Sequence, residues 1–298
     1  MSPARWTSAD VAHLEGRSVI ITGANSGIGR AAASVLASAG AFVTLAVRDV
    51  ARGEAAAATM TGRVRVRRLD LADLASVRAF AGATSEPVDI LIDNAGVMAV
   101  PLSRTTDGFE MQVGTNHLGH FALTNLLMPL VTDRIVVVSS ELHRRGRIDF
   151  EDLNWERRRY RAWDAYAQSK LANALFVLEL ERRLREAASP VRAVAVHPGY
   201  AATNLQGHTG SRATSLAMSL GNRLVAQSEA KGALPTLYGA TMDVPGGSYV
   251  GPDGFGHLRG YPAVGVASTR ARDHSAATRL WDLSELLTGV TWTPGKTT

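Results

Sequence analysis

Arg17-Ser-Val-Ile-Ile-Thr22 runs directly into Gly23-Ala-Asn25-Ser26-Gly27-Ile28-Gly29, and this stretch decides the fold. A short run rich in β-branched residues reads as a buried strand, and the Ala/Leu-rich segment 27–39 behind it reads as a helix. The glycines between them form a strand-to-helix turn. Such a turn lets backbone approach a pyrophosphate closely, while the helix N-terminus supplies N–H donors and a positive dipole end. The spacing is G-x3-G-x-G, not the commoner G-x-G-x-x-G. Its position after the first strand makes Gly23, Asn25, Ser26, Gly27, Ile28 and Gly29 candidates for holding a dinucleotide.

Outward from this turn the pattern repeats. Apolar runs at 41–47, 64–69, 88–92, 134–139 and 191–196 alternate with helical stretches near 50–60, 72–85, 107–132, 164–187 and 228–241. Strand–helix–strand alternation implies βαβ units with right-handed crossovers. The expected fold is a single-domain, Rossmann-type, doubly wound parallel sheet with helices on both faces, spanning 1–298 with its core at about 15–285. Residues 200–225 interrupt the rhythm and read as a mobile lid over a pocket. Residues 244–274 are dense in Gly and Pro and read as extended loops. Leu280–Leu287 reads as a last short helix.

Composition excludes several classes. The 298 residues are 46% apolar and 20% charged, which is globular. There is no cysteine, so a disulfide scaffold, a thiol nucleophile and a cysteine-ligated metal are all excluded. No signal peptide and no spanning apolar run is visible, and a cytoplasmic location is expected. The net charge of +5 reflects arginines clustered at 63–68, 144–147 and 157–161. No aromatic-interleaved basic stripe accompanies them, so nucleic acid is not an expected partner. The eight histidines form no convincing ligand set, and no metal is expected; His117 and His120 are expected to pack or bond locally. No G-x-S-x-G elbow supports a hydrolase. Trp155, Trp163 and Trp281 are expected to be packing residues.

Tyr166 and Lys170 are four residues apart on a predicted helix and share a face. A neighbouring ammonium favours the phenolate, so Lys170 is expected to bring the Tyr166 pKa toward the working range and make it a general acid/base. Ser139 and Ser140 lie past a strand end, where either hydroxyl could orient a substrate oxygen. Arg48 follows the second strand, where arginine suits a 2′-phosphate, so NADP(H) is favoured over NAD(H). Asp49 beside it is expected to cap the next helix.

Together these residues resemble the short-chain dehydrogenase/reductase family. The carriers are Thr22–Gly29, Asp93-Asn94-Ala95-Gly96, Ser140, Tyr166-Ala-Gln-Ser-Lys170 and Pro198-Gly199 with Thr203 beyond, in the family's order over about 15–285. A narrower likeness to the retinol dehydrogenase branch, with protochlorophyllide reductases, rests on Asn116-His-Leu-Gly-His120-Phe and Ser169-Lys-Leu-Ala-Asn173. Gly251-Pro-Asp-Gly254 and Leu280-Trp281 add to it. The resemblance implies a catalytic set of Asn116, Ser140, Tyr166 and Lys170. Asn116 would anchor a water relay and Lys170 would also hold the nicotinamide ribose. It further implies cofactor contacts at Asp70, Leu71, Asn94, Ala95, Gly96, Tyr166, Pro198, Gly199 and Thr203. Asp93 stands where the family has asparagine, and little loss is expected from it.

The reading is an NADP(H)-dependent oxidoreductase acting on a small-molecule alcohol or carbonyl. An apolar substrate would be lined by Leu205, Leu216, Met218 and Leu220. Reduction of a conjugated double bond, or dinucleotide binding without turnover, are the alternatives. Family members pair through helices corresponding to 107–132 and 164–187, so a homo-oligomer is a possible assembly.

Overall fold

Eight strands form one sheet in the order β3-β2-β1-β4-β5-β6-β7-β8. They are β1 (Ser18–Thr22), β2 (Phe42–Val47), β3 (Arg63–Arg68), β4 (Val88–Asp93), β5 (Val131–Val138), β6 (Arg192–Val196), β7 (Tyr249–Pro252) and β8 (Pro262–Gly265). The computed structural model describes residues 5–199 and 228–293. The helices are α1 (Gly27–Ser38), α2 (Val50–Ala57), α3 (Leu74–Gly82), α4 (Met111–Val113), α5 (Gly119–Leu127), α6 (Ala162–Glu186), α7 (Glu229–Thr241) and α8 (His274–Thr288).

The strands alternate side chains between two cores, as a sheet buried on both faces must. Val19, Ile21, Ile90, Ile92, Val136 and Val138 pack with Leu36 of α1 and Leu237 of α7. Ile20, Leu91, Ile135 and Val137 face Phe121 of α5, Phe176 of α6 and Trp281 of α8. β1 pairs in parallel with both β2 and β4, so the chain reverses its direction of winding there. A crevice opens beyond the carboxyl ends of strands at such a switch point, which puts Thr22 and Asp93 at its base.

Three expectations are corrected. Residues 244–274 carry β7 and β8, and β8 runs antiparallel to β7, so the sheet is not wholly parallel. Four-residue strands between Gly and Pro lack the periodicity that marks longer ones. The single helix expected at 107–132 is divided: a π turn at Gly114–Leu118 separates α4 from α5, and β5 begins at Val131. The last helix is also longer than expected, starting at His274 behind an Asp273 cap. The segment 200–225, with Thr203, Leu205, Leu216, Met218 and Leu220, lies outside the described residues.

Candidate active site

The turn after β1 is built for close approach. Gly23 and Gly27 have φ of +66° and +60°, a conformation glycine adopts without a Cβ penalty. A Cβ on Gly23 would stand 2.9 Å from Ala95, and one on Gly29 would stand 2.9 Å from the Gly23 carbonyl. Ser26 is the N-cap of α1, yet its hydroxyl makes no capping bond. Among the described residues that hydroxyl and the first-turn amides are therefore unspent, and they form the anion-favouring end of the helix dipole. Asn25 and Ser26 are partly exposed, whereas Ile28 is buried.

Thr22 joins the two strands at the switch point. Its hydroxyl oxygen accepts the N–H groups of Asn94 and Ala95, each at 2.9 Å, and its carbonyl accepts the Asn94 amide at 2.8 Å. Asn94, Ala95 and Gly96 are thereby laid across the crevice floor. Toward the β2 end, Arg48 is exposed and makes no ion pair with the described residues. Asp49 accepts the Arg52 N–H at 3.0 Å and caps α2, as expected. The Asp70 carboxylate accepts the Ala72 N–H at 3.0 Å, while Leu71 is buried. Gly199, after β6, has φ of +67°, and its N–H donates to His197 Nδ1.

Asn116, Ser140, Tyr166 and Lys170 belong to three segments that meet beside this crevice. Asn116 lies in the π turn, its side chain clamped to Val97: Oδ1 accepts the Val97 N–H at 2.8 Å, and Nδ2 donates to the Val97 carbonyl and to Ser169 Oγ, each at 2.9 Å. A Cβ on Gly96 would stand 3.0 Å from Asn116 Oδ1 and 3.6 Å from Lys170 Nζ. Ser140 Oγ accepts the Leu142 N–H at 3.2 Å, and its hydroxyl lies near enough to the Tyr166 phenol to favour the phenolate. Ser139 Oγ donates instead to the Lys170 carbonyl at 2.8 Å and is buried, so Ser140 is the serine that reaches the tyrosine.

The electrostatics differ from the expectation for this pair. Burial pushes the Tyr166 phenol up to about 12, and the nearby Ser140 hydroxyl offsets only part of that. Burial also pushes the Lys170 ammonium down to about 8. Lys170 Nζ donates to the Val138 carbonyl at 2.9 Å and stands 5.8 Å from the Tyr166 ring centre. Desolvation thus outweighs the Ser140 contribution at Tyr166, and the neutral phenol is the favoured form.

Several residues gain roles that the sequence did not assign. His120 bonds locally, with Nδ1 3.0 Å from the Asn116 carbonyl, but Nε2 also reaches Thr22 Oγ1 at 2.9 Å. Thr22 Oγ1 already accepts two N–H groups, so its own proton goes to Nε2, and His120 Nδ1–H is the donor to Asn116. Burial holds His120 down at about 4, hence neutral. Glu110, fully buried, accepts the Tyr160 hydroxyl and the N–H groups of Gln112 and Val113. Gln112 in turn bonds Ala99 and Ala162, which sets the start of α6. Spacing alone signals none of this. Trp155 and Trp281 are buried packing residues, but Trp163 is 47% exposed, one turn before Tyr166 and edge-on to its ring at 6.4 Å. Two small cavities, about 230 Å³ beside Arg17 and Phe42 and about 150 Å³ beside Ala174 and Gly265, do not include Tyr166.

The family profile described as short chain dehydrogenase matches residues 17–213. The chain belongs to the short-chain dehydrogenase family. Retinol dehydrogenase 13 of Homo sapiens is 44% identical, with 94% of this chain and 86% of the relative covered, and the chain falls in that retinol dehydrogenase-like branch. A crystal structure of an uncharacterised protein from Mycobacterium paratuberculosis is 52% identical with a TM-score of 0.86, over 97% of this chain and 99% of that one. Two solved structures at 24% identity share the fold. One is a short-chain dehydrogenase from Burkholderia phymatum with NAD (TM-score 0.60; 75% and 85% covered). The other is RhlG of Pseudomonas aeruginosa with NADP (TM-score 0.62; 82% and 98% covered). This short-chain dehydrogenase is an oxidoreductase of the alcohol/carbonyl type from an NAD(P)-binding family. Among its described residues no helix is long and apolar enough to cross a membrane.

Proposed function

We propose that this short-chain dehydrogenase reduces an apolar aldehyde or ketone with NADPH, Tyr166 donating the proton. The observation that carries this reading is the meeting of Ser140 and Lys170 around a protonated Tyr166, beside a glycine cradle at the β1/β4 crevice. The cradle fits a dinucleotide: a Cβ would fill it at Gly23 and Gly29, and Ser26 and the α1 amides offer unspent donors. The residues that would hold it are Gly23–Gly29, Arg48, Asp70, Leu71, Asn94–Gly96, Lys170, Pro198 and Gly199. Bound there, the nicotinamide supplies hydride.

The chain's own work is orientation and proton supply. The Ser140 hydroxyl orients the substrate oxygen. The Tyr166 phenol, protonated throughout the neutral range, gives that oxygen a proton as it becomes an alkoxide. Lys170, still mainly charged at neutral pH, lowers the cost of the phenolate left behind.

Support for an apolar substrate comes from the rim. Trp163, edge-on to Tyr166, is 47% exposed. The retinol dehydrogenase names of the relatives agree with a long apolar or retinoid-like substrate.

Fluorescence titration with NADPH and NADH tests the cofactor assignment. NADPH is expected to bind at least about tenfold more tightly, as one charge-assisted phosphate contact provides. Arg48→Asp should abolish that preference. Tighter NADH binding by the wild type overturns the NADPH reading, and binding of neither overturns the oxidoreductase one.

We also propose that the chain does not pair through α5 and α6. The face that family members use for pairing is covered here by α8: Trp281 packs between Phe121 and Phe176, and Ser284 bonds His117. Light scattering should give the mass of one chain, or a dimer that survives charge substitutions on the outer face of α8.

A further inference from the structure

Ser140 is held by more than the strand that carries it. Three donors converge on its carbonyl oxygen: the His143 N–H at 3.0 Å, the His143 ring Nδ1 at 2.8 Å and the Tyr249 hydroxyl at 3.3 Å. His143 is fully buried and Tyr249 nearly so. Tyr249 belongs to β7, more than a hundred residues along the chain, and its ring stacks on His197 at 5.2 Å and 19°.

The tautomer of His143 follows from its partners. The Ser268 backbone N–H, which can only donate, points at Nε2 at 3.1 Å. Nε2 is therefore the acceptor, and a neutral ring must carry its proton on Nδ1. That proton faces the Ser140 carbonyl, with the Tyr249 oxygen also 3.0 Å from Nδ1. Burial lowers the pKa of the imidazole and favours the neutral ring that this double engagement requires. The Ser140 carbonyl is the N-cap carbonyl of the turn Glu141–Arg145, so pinning it fixes the peptide on which the catalytic hydroxyl is mounted.

We infer that His143 and Tyr249 are positioning residues that hold Ser140 against Tyr166, with His143 acting as the Nδ1–H donor. The inference rests on the proposed roles of Ser140 and Tyr166. A hydroxyl misplaced by about 1 Å from the reacting oxygen costs roughly 100-fold in rate, so a partial loss of the clamp should be visible in kcat.

Two variants separate the two contacts of the ring. In His143→Asn the amide nitrogen stands near the Nδ1 position and keeps a donor for Ser140. In His143→Gln the amide oxygen reaches the Nε2 position and keeps an acceptor for Ser268. With NADPH and octanal as probe, kcat is expected within about threefold of wild type for the Asn variant and roughly tenfold or more lower for the Gln variant, with NADPH affinity unchanged in both. The opposite order, or equal losses, would mean that the ring only anchors the loop around Ser268, and would overturn the inference. A measurement independent of turnover accompanies it. Long-range ¹H–¹⁵N spectra of protein labelled at histidine should show His143 as the Nδ1–H tautomer in wild type. An Nε2–H tautomer overturns the inference whatever the enzyme reduces. Failure of wild type to turn over any carbonyl, with the Nδ1–H form intact, counts against the oxidoreductase reading and leaves the clamp standing.

Discussion

Tyr166→Phe is expected to remove turnover almost entirely while leaving NADPH affinity nearly unchanged. The substitution deletes one hydroxyl and keeps the ring that packs against Trp163 and under Lys170. Loss of a general acid costs about 10²–10⁴ in rate. The cradle does not change, because Gly23, Gly29, Ser26 and Asn94 owe their placement to β1, β4 and α1. Initial rates with octanal, alongside fluorescence titration with NADPH, read the two effects separately. Near-normal turnover in the variant would sink the proton-donor role. A large fall in affinity would show that the phenol also holds the dinucleotide.

The second large effect concerns stability. Asp93 is completely buried at the end of β4. One carboxyl oxygen accepts the Thr124 hydroxyl at 2.7 Å, and the other has no hydrogen-bond partner among the described residues. Burial pushes its pKa up from 3.8 to about 7, offset only in part by Thr124. Between about pH 4 and 7 the folded protein holds a proton that the unfolded chain has released. Stability therefore falls as pH rises through that window, and the whole loss is present above about 7. At about 1.36 kcal/mol per pKa unit this comes to about 4 kcal/mol. Asp93→Asn cannot titrate. Its unpaired amide N–H group offsets part of the gain, by about 1–3 kcal/mol. The variant should be more stable than wild type at pH 8 and no more stable at pH 5, as urea unfolding at the two pH values would show. A difference that does not change between them would mean that Asp93 is not the titrating group.

Asparagine is usual at this position in the family, and the sequence alone suggested that the change was harmless. The cost appears only when the site is seen to be dry. A carboxylate at the surface and one sealed between β4 and α5 look identical in sequence, because desolvation is a property of the packed environment.

The same distinction runs through the site. The strand–turn–helix at 17–38, the Asn94–Gly96 floor and the Tyr166–Lys170 pair were legible because they are local. Each is a short spacing whose geometry one element enforces, whether a glycine turn, a strand end or one turn of a helix. The break in the long helix was not legible, since a π turn at Gly114–Leu118 is stabilised by what Asn116 finds on Val97 and Ser169. Nor was the edge of the sheet, where four-residue strands pair only because β6 is already in place beside them.

What the sequence by itself determined was the order of the βαβ units, the glycine turn after the first strand and the helical pairing of Tyr166 with Lys170. These depend on period, spacing and residue type, which the chain carries in any conformation. The tertiary structure set the direction of their pKa shifts, with Tyr166 raised and Lys170 lowered. It also decided which serine meets the tyrosine, and it brought Tyr249 and His143 behind Ser140 from distant parts of the chain. Those outcomes depend on which groups lose water and which donors meet which acceptors, and both are set only when remote segments close on one another.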